Sequence, residues 1–198
     1  MKRVAIREIA AEVAALMGES LLLECQPEES LFPDLEEQVR IRAPAILSDL
    51  ILESPPEHLA DAGKRMEANP TIDESGTVTL ELPEDFLRLL YVRMSDWVRG
   101  ATELIPFSSP EAARHFSKWK GIRGTRECPA AIRGFTPEGK QCIKLYSSGK
   151  DAFLETALYI PFPALDSDEI LEVPERLMPV LLDRLQKVHP SFISPTMR

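Results

Sequence analysis

With 198 residues, 44% of them hydrophobic and 28% charged, the chain has enough apolar material for one sizeable core and is too apolar for the class kept disordered by charge. No run approaches the ~20 apolar residues of a membrane-spanning helix, and Glu8 and Glu12 interrupt the apolar residues behind Lys2 and Arg3. No secretory leader is therefore expected, and the expected location is a cytoplasm.

The first helix is predicted over residues 4–17, where Ile6, Ile9, Ala10, Val13 and Met17 recur at three- and four-residue spacings with Arg7, Glu8 and Glu12 off the stripe. Gly18 ends it. After a loop over residues 24–30, Pro33-Asp34-Leu35 starts a second helix with Leu35, Val39, Ala43, Ile46, Leu47, Leu50 and Ile51 on one face. Pro44 lies inside this run. A proline there removes a backbone donor and collides with the preceding turn, so a kink or a split into two helices is expected. Pro55-Pro56 stops the run, and residues 57–66 form a predicted short third helix before Asn69-Pro70.

At Thr71 the period changes to two: Val78, Leu80 and Leu82 alternate with Thr77, Thr79 and Glu81 behind a turn at Asp73-Glu74-Ser75-Gly76. This predicts a half-buried strand in a hairpin. A corner at Pro83-Glu84-Asp85-Phe86 leads to a second strand over residues 87–94. Ser109-Pro110-Glu111 offers an N-cap, a proline at the first helical position and an acid in the first turn, so residues 110–118 are expected to be a short helix. Gly121, Gly124 and Pro129 mark a loop. Residues 132–135 and 141–146 then flank Thr136-Pro137-Glu138-Gly139 as a hairpin. A further strand over residues 155–160 is expected to pair with the second one and to end at Pro161-Phe162-Pro163. Leu177, Val180, Leu181, Leu185 and Val188 predict a last helix, continuous only from near Met178 because of Pro179. The tail from His189 to Arg198 is expected to be extended.

These elements predict an α+β fold in a single domain over residues 1–198. It comprises an N-terminal helical half over residues 1–70, a sheet-containing region over residues 71–163 with a small antiparallel sheet of about five strands, and a closing C-terminal helix over residues 174–188.

The residue types that perform chemistry are present but not in spacings that chemistry needs. His58, His115 and His189 stand alone, and no HExxH or paired His/Cys arrangement could complete a metal shell. Gly121-Ile122-Arg123-Gly124 lacks the preceding strand and the long following helix of a phosphate loop. Cys25, Cys128 and Cys142 are few, odd in number and without CxxC spacing, so reduced thiols are expected, although Cys128 and Cys142 could meet across a hairpin. The acidic pairs Glu28-Glu29, Glu36-Glu37 and Asp73-Glu74 and the run Asp166-Ser167-Asp168-Glu169 are expected to be solvated charge. The last lacks the remaining spacing of a calcium loop. No cofactor, no metal and no enzymatic activity are expected.

The net charge of −9 is unevenly spread: residues 1–85 carry 7 basic and 19 acidic side chains, residues 86–150 carry 12 and 5, and residues 151–198 carry 4 and 8. A basic middle between acidic flanks suits contact with nucleic acid, or the acidic face of one copy meeting the basic face of another, or neutralisation within one subunit. The densest basic stretch holds Arg114, Lys118, Lys120, Arg123, Arg126 and Arg133 with Phe116 and Trp119 interleaved and Glu127 as its acid. Cations among aromatics can grip phosphates and bases, or an acidic protein surface.

Three motifs occur in order: Leu82-Pro83-Glu84-Asp85-Phe86-Leu87-Arg88-Leu89-Leu90-Tyr91-Val92 after a helical segment, Leu158-Tyr159-Ile160-Pro161-Phe162-Pro163 at a strand end, and Val173-Pro174-Glu175-Arg176-Leu177 before the last helix. In this plan, over roughly residues 31–188, the chain resembles the head-to-tail adaptor (neck, head-completion or tail tubular) proteins of tailed bacteriophages. The helix over residues 4–17 has no counterpart in that plan, and Pro44 departs from it. The resemblance implies a non-enzymatic virion assembly protein that forms a ring beneath the portal and joins it to the tail. Its implied partners are portal and tail proteins and further copies of itself, with DNA contact possible and no membrane. Its implied location is the bacterial host cytoplasm and then the virion. One alternative is a small bacterial binding protein or enzyme whose site gathers distant residues, with Tyr91, Asp96, His115 and Cys142 as candidates. Another is a nucleic-acid-binding regulator using residues 114–133.

Overall fold

The computed structural model describes residues 1–17, 33–117, 123–146 and 148–188. In chain order the elements are β1 (Lys2–Ala5), α1 (Ile6–Leu16), α2 (Pro33–Glu53), a 3-10 turn at Pro56–His58, β2 (Lys64–Arg65), β3 (Thr71–Ile72), β4 (Val78–Glu81), β5 (Phe86–Met94), β6 (Leu104–Ile105), α3 (Pro110–His115), β7 (Ala131–Phe135), β8 (Gln141–Leu145), β9 (Leu154–Pro161), β10 (Ile170–Val173), a 3-10 turn at Glu175–Leu177 and α4 (Met178–Val188). The fold is mixed α and β, with mostly antiparallel sheets and a C-terminal helix. The expected helix stop at Gly18, the loop 24–30 and the tail from His189 lie outside the described residues, as do Cys25, Lys118, Trp119 and Lys120.

The chain divides into two compact units, Met1–Ala62 with Phe162–Arg198, and Gly63–Pro161. In the first, α1, α2 and α4 pack on one another. Helix α1 buries Ile6, Ile9, Ala10, Val13 and Ala14, and α4 buries Met178, Leu181 and Leu185. The closing helix thus belongs with the first two, because its own apolar stripe needs theirs to leave water. It starts at Met178, as its Pro179 requires. Helix α1 begins two residues later than predicted, since Lys2–Ala5 pairs antiparallel with Ile170–Val173 and places buried Val4 opposite buried Leu171.

Of the kink or split expected at Pro44, the split does not occur: helix α2 is continuous through it. Leu35, Val39, Ala43, Leu47, Leu50 and Ile51 are all buried, so the stripe stays in phase on both sides of the proline. Burial of large apolar side chains, at about 1.5–3 kcal/mol each, outweighs the ~3 kcal/mol that a mid-helix proline costs. The predicted helix over 57–66 is also corrected. It shrinks to the 3-10 turn Pro56–His58, and Lys64–Arg65 is a strand paired with Tyr159 and Leu158. Leu59, Ala62 and Met66 have helical spacing and are buried, yet Leu59 and Ala62 serve the first unit while Met66 joins the core of the second.

The second unit contains two sheets, of order β2-β9-β5 and β3-β4-β8-β7-β6, and β1-β10 makes a third in the first unit. This replaces the one antiparallel sheet of about five strands, and within the five-stranded sheet β6 runs parallel to β7. The reason is packing. Val78, Leu80, Ile143 and Leu145 from the larger sheet share one core with Phe86, Leu89, Val92, Met94, Ala157 and Tyr159 from the smaller, with Trp97 among them. The β5–β9 pairing and the β7–β8 hairpin form as predicted. Gly76 (φ +79°) and Gly139 (φ +84°) hold the turn positions that a side chain would strain. Ser109 caps α3 by accepting the Ala112 N–H, as its sequence predicts, although α3 ends at His115 and not at 118.

Candidate functional site

The basic stretch hangs on α3, which sits on the outer face of the β7–β8 hairpin. There Ala112 packs with Ile132 and Tyr146 in a small satellite core. Arg114 is exposed and makes no ion pair among the described residues. Arg123 is half-buried, donates from Nε to the Ser117 carbonyl and lies with its guanidinium 5.8 Å from the Tyr146 ring centre. Arg126 pairs with Asp96 at 3.2 Å, and Arg133, exposed on β7, donates to Gln141 Oε1. Three of the four described cations therefore have partners inside the chain. Lys118 and Lys120 lie outside the described residues. The described set is one arginine open to a partner and three that hold the surface in shape.

The four residues of the enzyme reading have separate local roles. Asp96 accepts the Gly149 N–H through Oδ2 at 2.7 Å and pairs there with Arg126. Tyr91 lies so close to Gly100 that a Cβ on the glycine would stand 2.4 Å from its ring. Cys142 is buried on β8, where burial pushes its thiol pKa up, away from the reactive thiolate. Three hollows of about 680, 650 and 270 Å³ open on the second unit, and none has Tyr91, Asp96, His115 or Cys142 in its lining. Among the described residues no group of three or more His, Cys, Asp or Glu side chains is placed to hold a metal, and no helix is long and apolar enough to cross a membrane.

Two of the acidic clusters are turn devices. Asp73 Oδ1 accepts the N–H groups of Ser75 and Thr77 at 2.8 and 2.9 Å. Asp166 Oδ1 accepts those of Asp168 and Ile170, while its Oδ2 takes Arg3 at 2.8 Å. The Ile170 N–H is the main cause of the lowered Asp166 pKa. Both clusters read as solvated charge in the sequence alone. Their Asp-x-Ser and Asp-x-Asp spacings are the available sign of self-capping turns.

His115 has a definite job in this surface. Its Nδ1 accepts the Gly124 N–H at 2.8 Å and its ring stacks on Tyr146 with centres 5.9 Å apart, so it clasps the two ends of the basic loop. Burial lowers its pKa, Glu111 opposes that and Arg114 adds to it. A histidine whose folded pKa is depressed contributes stability that is complete above the ordinary value of 6.5 and is lost as pH falls through the folded pKa. Amide exchange at Gly124, corrected for its intrinsic pH dependence, should therefore accelerate as pH drops below that value. The acceleration should vanish in His115→Phe. A flat profile in the wild-type protein would rule out the clasp.

An aromatic pair also escapes the sequence reading. Phe107, before α3, and Phe116, at its C-terminal cap, meet in a tilted contact at 5.0 Å between ring centres while 54% and 40% exposed. Exposed Phe135, Phe153 and Phe162 make five of the six described phenylalanines that face solvent. No protein-family model matches the chain, and no curated protein is found to be similar to it.

Proposed function

We propose that the chain is a non-enzymatic virion assembly protein, a head-to-tail adaptor that joins the portal ring to the tail of a tailed bacteriophage. Behind this reading stand the Leu82–Phe86, Leu158–Pro163 and Val173–Leu177 motifs, which occur in order in a mixed α and β fold with mostly antiparallel sheets and a C-terminal helix. Its proposed partners are portal and tail proteins and further copies of the chain in a ring. Its proposed location is the host cytoplasm before assembly and the virion afterwards.

The observation that carries the reading is the exposure of Phe107, Phe116, Phe135, Phe153 and Phe162. Phenylalanine is among the residues most often buried, and aromatic side chains are enriched where proteins meet. Such a surface suits repeated protein contact better than turnover of a small molecule. It also favours an acidic protein face over nucleic acid as the neighbour of the basic stretch, since Arg123, Arg126 and Arg133 already have partners within the chain.

Size-exclusion chromatography with light scattering tests it, on the chain alone and mixed with the portal protein of the same genome. Co-elution with the portal, at a mass of several copies per portal ring, is the expected result. A strictly monomeric chain that ignores the portal would overturn the reading.

A further inference from the structure

The chain passes from the first unit into the second at Ala62–Gly63 and returns at Pro161–Phe162. The strands next to those two crossings run side by side. Lys64 pairs with Tyr159 and Arg65 with Leu158, at the ~5 Å spacing of antiparallel partners, and the Met66 N–H extends the ladder to the Ala157 carbonyl. A segment whose two ends meet can sit inside a host fold without separating the host's own parts.

Each unit also has what a separate fold needs. Both are about 100 residues long, an ordinary domain size. The core around Trp97 and Leu80 draws all its members from the second unit. In the first, the segments before and after the insertion hold each other directly: β1 pairs with β10, α4 packs on α1 and α2, and Arg3–Asp166 and Arg184–Glu53 are ion pairs. Arg93–Glu155, Arg126–Asp96 and Lys140–Glu81 stay within the second.

The second unit is fastened at its own ends. Asp85 accepts the Tyr159 hydroxyl through Oδ1 at 2.9 Å and Lys64 Nζ through Oδ2 at 3.2 Å. The Lys64 ammonium stands 5.9 Å from the centre of the buried Tyr159 ring, on which Phe86 stacks. The strand that enters the unit and the strand that leaves it are thus tied to one corner, Asp85-Phe86.

We infer that residues 63–161 are an inserted folding unit, closed at its ends by the Lys64–Asp85–Tyr159 clamp, so that either unit unfolds and refolds while the other stays folded. Unfolding stops at the boundary because the strand pairs, ion pairs and core named above each lie on one side of it. The inference stands apart from the adaptor reading, and portal binding or its absence leaves it untouched.

Urea unfolding of the full chain, read by two signals at once, tests it. Both tryptophans, Trp97 and Trp119, belong to residues 63–161, so their fluorescence follows the second unit. Helical circular dichroism mainly follows the first, which holds α1, α2 and α4. Leu47→Ala, at a buried position of α2, is expected to lower the dichroism midpoint by about 1–2 M urea and to leave the fluorescence midpoint in place. Leu80→Ala, at a buried position of β4, is expected to do the reverse. If Leu47→Ala leaves the first unit unfolded from the start, native fluorescence is still expected from the second. Asp85→Ala is expected to lower the fluorescence midpoint alone. A core variant that moves both signals together would overturn the independence of the units, and a fluorescence midpoint unmoved by Asp85→Ala would overturn the clamp.

Discussion

Replacing Trp97 by alanine is expected to lower the unfolding free energy of the second unit by about 3–5 kcal/mol, the largest loss from a single truncation in its core. Trp97 is 2% exposed and sits in the cluster where the two sheets meet, with Val92, Met94, Ala101 and Leu145. Removing the indole empties the space both sheets pack against, and a loss of that size is a large share of the roughly 5–15 kcal/mol that ordinarily holds a folded domain. Trp97→Phe should be much milder, about 1–2 kcal/mol. The indole Nε1 has no hydrogen-bond partner among the described residues, so its removal relieves a buried unpaired donor while the smaller ring leaves a smaller cavity. Urea unfolding followed by circular dichroism compares the two. Equal losses from both substitutions would mean that the indole N–H is engaged.

Pro44→Ala is expected to act in the opposite direction, raising stability by about 1–3 kcal/mol. The helix is continuous at Pro44, so the backbone there is already helical and an alanine needs no rearrangement. The new N–H would restore the Arg40 carbonyl's bond within the helix. The Ser48 hydroxyl, which donates to the Pro44 carbonyl at 2.9 Å, keeps its acceptor. A higher midpoint in thermal or denaturant unfolding is the expected reading. A lower midpoint would show that the half-buried pyrrolidine ring packs more strongly than the missing hydrogen bond costs.

The same helix marks where the sequence was legible and where it was not. Its buried stripe could be read from the spacing of Leu35, Val39, Ala43, Leu47 and Leu50. The exposed apolar residues Ile41, Ala45 and Leu52, on the opposite side of the helix, were in the sequence too. Two apolar faces on one helix blur each other, however, and neither spacing says which face meets the core. In the basic stretch, the residue types were visible but their availability was not. Arg126 is tied to Asp96, thirty positions earlier, and Arg123 to Tyr146, twenty-three positions later. The Phe107–Phe116 pair escaped notice because its rings meet only once the Ser109 cap has turned the chain into α3.

What the sequence determined by itself was local: the Ser109 cap, the turns at Gly76 and Gly139, the long strands β5 and β9, and the start of α4 at Met178. Each depends on residues within a few positions, whose backbone preferences act before any distant partner is met. The tertiary structure decided that Lys2–Ala5, Lys64–Arg65 and Leu104–Ile105 are strands, that α2 runs through its proline, and that the last helix packs with the first two. Two- to four-residue strands carry no readable period, and their hydrogen bonds and the burial that offsets Pro44 come from segments far away in the chain. They exist only where folding has already brought the partner alongside.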